Sequence, residues 1–215
     1  MAVTQNPIIG RARNKFAGAI FSTWKGLNVL RSSPLTVANP RTQAQINQRN
    51  KLALMVDLYR KIASAVAVGY RQQAIKKSEY NAFASEMLLN AMDVDGSNNV
   101  TFVAEDVLIA KGTMGTTAVS NASDDGTDIT VEWDENAPLS EGQSSTDLAY
   151  VVTFDGNSES TLDHVGLSLG SAERSAGEVV FALPDGASAI PAHTYLFFAS
   201  QNDDEVSDSV YDGGA

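Results

Sequence analysis

Near residue 100 the hydrophobic period of this chain changes from that of a helix to that of a strand. Before the change, Leu52, Met55, Val56, Tyr59, Ile62, Ala63 and Val66 recur at spacings of three and four, the mark of an amphipathic helix. The spacing predicts a helix from about Thr42 to about Val68, with Leu54 and Leu58 widening its apolar face and Gly69 breaking it. A second helix is predicted from near Ser78, where Tyr80, Phe83, Ala84, Met87, Leu88 and Ala91 form one stripe. Ser78 suits its N-cap and Glu79 the positive end of its dipole. The polar stretch 93–99 ends it. After residue 100 the segments 127–133, 147–154, 162–169, 177–183, 194–200 and 206–211 read as short strands between Gly, Asp, Asn, Ser and Pro clusters, and 100–111 holds room for one or two more. Short strands at this spacing predict an antiparallel sandwich. Within it Ile129, Val131 and Trp133 alternate with Thr130 and Glu132, so that strand buries one face. The run Tyr195-Leu196-Phe197-Phe198 does not alternate, which places it under cover on both faces.

Ahead of the helices, residues 14–32 read as a β-hairpin, with Phe16, Ile20, Phe21, Trp24, Leu27, Val29 and Leu30 as strand formers around the turn signal Lys25-Gly26. Ser32-Ser33-Pro34 and Asn39-Pro40 end it. The expected fold class is therefore α+β: an N-terminal β-hairpin plus two-helix module, followed by an antiparallel immunoglobulin- or fibronectin-like β-sandwich. The expected boundary divides a basic hairpin-and-helix anchoring module, 1–112, from an acidic sandwich, 113–215, with the helix pair packed on the hairpin.

Charge supports that division. Residues 1–90 carry 13 Lys and Arg against Asp57, Glu79 and Glu86, a surplus of ten positive charges. Residues 91–215 carry Lys111 and Arg174 against 23 acids, a net charge of −21. Such asymmetry points to a basic half that meets a polyanion or the acidic half of a neighbouring copy. The residues expected at that contact are Arg11, Arg13, Lys15, Trp24, Arg31, Arg41, Gln45 and Arg49. Cations neutralise phosphates and aromatic rings stack on bases, but no recognised nucleic-acid motif organises them.

Catalytic and metal chemistry find little purchase in the sequence. The chain has no cysteine, so thiolate metal sites and disulfides are excluded. The two histidines, His164 and His193, stand apart from any nucleophile motif and read as surface or edge residues. Asp93-Val94-Asp95-Gly96-Ser97-Asn98-Asn99 begins like a calcium loop, yet Asn98 stands where the loop needs glycine and Ala104 where it needs glutamate. No phosphate-binding glycine loop is present, and Gly10-Arg11-Ala12-Arg13 does not form one. No apolar run reaches the roughly 20 residues that span a bilayer, and polar residues interrupt the N-terminus where a secretory signal would be apolar. No enzyme, cofactor, metal, membrane or small-molecule substrate is expected.

Four segments carry a likeness: Asn6-Pro7-Ile8-Ile9-Gly10; Trp24-Lys25-Gly26-Leu27-Asn28-Val29-Leu30-Arg31 with Pro34; Asn39-Pro40-Arg41-Thr42-Gln43-Ala44-Gln45 with Gln48-Arg49; and Tyr80-Asn81-Ala82-Phe83. In this order they resemble an uncharacterised family from Bacteroidetes and their phages, a domain of unknown function. They are also similar to small virion-associated proteins in which an Asn-Pro-Arg-Thr segment opens a helix. The resemblance covers about residues 1–115. It implies no catalytic residues and a phage virion structural or assembly protein: a head decoration, neck or tail component, assembled in the bacterial cytoplasm. The implied partners are further copies of the chain and other virion proteins. The other readings are a nucleic-acid-binding module that uses the basic half, and a cell-surface or adhesion protein.

Overall fold

A computed structural model describes residues 2–4, 14–16, 18–24, 27–34, 36, 41–140, 142–155, 164–184, 191–202 and 204–213. By compactness the chain forms two units, Met1–Thr42 and Gln43–Ala215.

The first unit is a four-stranded antiparallel sheet. Its strands are β1 (Ala2–Thr4), β2 (Asn14–Phe16), β3 (Ala19–Trp24) and β4 (Leu27–Ser32), in the order β1-β4-β3-β2. The expected hairpin is its centre, with Trp24 opposite Leu27 as the innermost pair. The Lys25-Gly26 turn itself lies outside the described residues. Two short strands flank the hairpin, each only three residues long, below the length at which alternation can be read in a sequence.

The second unit begins with helices α1 (Gln43–Gly69) and α2 (Glu79–Asn90). Ser78 is extended and its hydroxyl accepts from the Asn81 amide (3.2 Å), the expected N-cap. Gly69 closes α1 where the backbone of 109–110 runs past. A Cβ there would lie 2.6 Å from the Ile109 carbonyl oxygen, and Lys111 N–H donates to the Gly69 carbonyl (2.9 Å). A small hairpin follows, β5 (Met92–Val94) with β6 (Val100–Phe102). Its five-residue loop is wound around Asp95, whose carboxylate accepts from the amides of Ser97 and Asn99, both at 2.8 Å.

The remaining strands are β7 (Val119–Asp124), β8 (Asp128–Trp133), β9 (Leu148–Asp155), β10 (Val165–Glu173), β11 (Glu178–Ala182), β12 (Pro191–Ala199) and β13 (Val210–Asp212). They form two antiparallel sheets, β10-β9-β12-β13 and β11-β8-β7. Ala149, Val151, Leu196 and Phe198 of the larger sheet share a core with Ile129, Val131, Trp133 and Val179 of the smaller. Tyr150, Val152, Phe154, Tyr195 and Phe197, on the opposite face of the larger sheet, share a second core with Met55, Leu58, Ile62, Phe83 and Met87 of the helices. The order of layers is helices, large sheet, small sheet. β12 is buried at every position from Thr194 to Ala199, which is why its sequence does not alternate.

Within residues 43–215, α1 packs on the outward aromatic row of the large sheet, and α2 packs on α1 and β5. The compact division falls after Thr42, where the sequence placed it near residue 112, since the helices and strands of 43–215 share one continuous core. The stretch 113–128, in which the sequence predicts no strand before 127, contains β7 and a bridge from Met114 to Ser207. Its Ser, Asn and Ala content hides the strand.

Candidate interaction surface

Two cationic residues of the first unit come together through strand register. Lys15 of β2 pairs with Ile20 of β3, which pairs with Arg31 of β4. Cross-strand partners share a face. The three therefore form one row, with both cations exposed and the apolar Ile20 between them. Trp24 sits at the opposite end of the hairpin, four positions along β3. Arg11 and Arg13 lie outside the described residues.

Compactness sharpens the charge asymmetry. Residues 1–42 contain six Lys and Arg and no acid at all, for a net charge of +6. Residues 43–215 carry nine against 26 acids, a net charge of −17.

Arg41, Gln45 and Arg49 lie outside the strands of the first unit. Arg41 precedes α1 with φ +45°, a left-handed conformation that takes it off the helix. Gln45 and Arg49 are one turn apart on α1, on one exposed face. Part of the amide-rich helix start serves the chain's own fold. Gln43 donates to Asn47 (2.8 Å), Asn47 donates to Asn98 in the β5–β6 loop (3.1 Å), and the Lys51 ammonium donates to the Met92 carbonyl (2.8 Å).

The most elaborate polar arrangement sits at one end of the two packed sheets, around Arg174. Its side chain is 4% exposed and that of Asp147 3%. Arg174 Nε donates to Asp147 Oδ2 (3.3 Å), and the guanidinium also donates to Thr117 Oγ1. It lies 3.8 Å over the Phe198 ring centre. Asp147 accepts from the Ser144 amide (2.7 Å), and the Trp133 indole N–H donates to the Arg174 carbonyl (2.7 Å). Burial pulls the guanidinium below its ordinary value while the Asp147 charge pushes it back up. These hydrogen bonds tie 117, 144–147 and 174 to the core as a staple. The sequence signal for it was faint: one of only two cations after residue 90.

Beside Arg174 lies an open cleft of about 410 Å³, lined in part by Thr116, Asp134, Leu139, Ser140 and Gln143. Gln143 spans it to the Gly115 carbonyl (2.8 Å). His193 is half-buried on β12 and shares a hydrogen bond with the Tyr211 hydroxyl (2.9 Å), whereas His164 is exposed with φ +52°. The Tyr70 and Tyr195 hydroxyls donate to the carbonyls of Leu108 (2.8 Å) and Ala104 (2.7 Å), and burial raises both phenols far above their ordinary value. Both stay protonated as structural donors. Among the described residues no group of three or more His, Cys, Asp or Glu is placed to hold a metal ion, and no helix is long and apolar enough to cross a membrane.

Fold and surface together define an α+β protein with a small cationic sheet attached to an acidic three-layer body. The chain belongs to a family of unknown function, DUF6266, which matches residues 11–213 and so takes in both units. No curated protein and no solved structure matches it.

Proposed function

We propose that this protein is a non-enzymatic structural or assembly component of a phage particle, used as a head decoration, neck or tail part and anchored through its basic N-terminal residues. The observation that carries the reading is the compact unit Met1–Thr42, whose sequence has six cations and no acid, joined to a body of net charge −17. Like charges within so small a unit disfavour its own compactness, and the unit gains most when an anionic surface covers it. The proposed contact set is Arg11, Arg13, Lys15, Trp24, Arg31, Arg41, Gln45 and Arg49, with virion proteins and further copies of the chain as partners. Localisation follows as the virion, with assembly in the bacterial cytoplasm.

The body is, in this reading, an immunoglobulin- or fibronectin-like sandwich. Support comes from the strand order: the first, second and fifth of seven strands form one sheet, and the third, fourth, sixth and seventh the other. Such sandwiches project from larger assemblies, and here α1 covers the large sheet's second face.

Mass spectrometry of purified particles from a phage whose genome carries this gene is the test. Recovery of the chain at a stoichiometry comparable to known head or tail proteins is expected. Particles that infect and lack the chain would overturn the reading. A DNA gel shift at low and high salt separates the nucleic-acid alternative, for which affinity must fall steeply with salt.

A further inference from the structure

The outer face of the β11-β8-β7 sheet carries a feature that the fold does not need. Along β8, Ile129, Val131 and Trp133 point into the core, so Asp128, Thr130 and Glu132 point away from it. Glu132 is the direct cross-strand partner of Glu178 on β11. Two like charges in that relation repel. Asp134 and Glu135, both exposed, follow at the end of β8, and the four acids border a shallow depression of about 430 Å³. Glu132 accepts one hydrogen bond, from Asn121 (3.2 Å), and among the described residues none of the four acids is ion-paired. In the next row of the same face, Val180 is 54% exposed opposite Thr130.

We propose that this face docks the N-terminal sheet of a second copy, setting the neighbour's Lys15 and Arg31 against Glu132 and Glu178. The inference rests on the anchoring role proposed above and names the surface that receives the anchor. Charge complementarity selects the occupant: the donor unit has no acid and the receiving face presents no cation among its described residues. Lys15 and Arg31 stand two strand spacings apart, about 10 Å, with Ile20 between them. The receiving face has its two glutamates side by side with the exposed Val180 in the adjoining row. Nucleic acid on the basic row is separated by the gel shift above.

The test is light scattering and sedimentation of the full-length protein at low and high salt. The wild type should self-associate at low salt and dissociate at high salt. Glu178→Lys should weaken association at least about tenfold while melting at or above the wild-type temperature, because it removes a like-charge pair from the fold. Lys15→Glu/Arg31→Glu and Glu132→Lys/Glu178→Lys should each stay monomeric alone and associate when mixed. Three results would overturn the inference: a wild type that is monomeric at low salt, a Glu178→Lys protein that associates like wild type, or a mixture that does not rescue. The particle assay above decides the virion reading independently of all three.

Discussion

At the scale of single residues, burial decides what each polar group does. Arg174 and Asp147 are the sharpest case, a charge pair withdrawn from water at one end of the two packed sheets. Removing one member strands the other. Arg174→Met should therefore cost about 3–5 kcal/mol, read as a lowered midpoint in urea unfolding. Replacing both by apolar residues of similar volume should recover much of that loss. The tyrosines obey the same logic with the opposite sign. A phenol whose ionisation is pushed upward by burial stabilises the fold below about pH 10 and withdraws that support as pH rises further. None of these roles shows in the sequence, because Arg, Asp and Tyr are the same letters whether they meet solvent or a carbonyl.

At the scale of elements, periodicity told most of the story. Helix α1 begins one residue from its expected start and ends one residue beyond its expected end, and six of the seven body strands overlap predicted segments. β7 escaped because Val119-Ser120-Asn121-Ala122-Ser123-Asp124 has a single strong strand former. β5 escaped because it is three residues long and opens a polar loop. What period cannot give is the partner of a face. The stripe of α2 was legible, yet nothing in its spacing says that it meets α1 and β5. Phe83 marks the junction with α1, fully buried with Tyr59 of α1 at 6.1 Å and Tyr70, just past its end, at 5.6 Å between ring centres. Phe83→Ala should cost about 3–5 kcal/mol. Because helices and sheet share one core, thermal unfolding of the variant, followed by circular dichroism, should lose helix and strand signals together.

For the whole molecule, the compact division after Thr42 makes a claim about dissection. Limited proteolysis should cut between the units and leave a folded fragment that begins near Gln43 and keeps the helices. Early release of a helix-free fragment beginning after residue 112 would contradict the shared core. The candidate contact set was half legible at this scale. The charge count exposed a basic N-terminal region and an acidic remainder. It could not show that Lys15 and Arg31, 16 residues apart in sequence, fall in one row, nor that Arg41 and Arg49 lie on either side of a unit boundary.

The position of β12 also sets a timetable for synthesis. This strand lies between β9 and β13 in the large sheet, and the sheet is the floor on which α1 rests. α1 ends at Gly69, while β12 begins at Pro191. A ribosome adding about 5–20 residues per second therefore leaves the sheet-facing stripe of α1 waiting several seconds for its complete floor. A transcript cut short before codon 191 would yield a chain with part of that stripe bare, prone to clump or to be cleared by proteases. Cover for a helix made early thus depends on a strand made more than a hundred residues later.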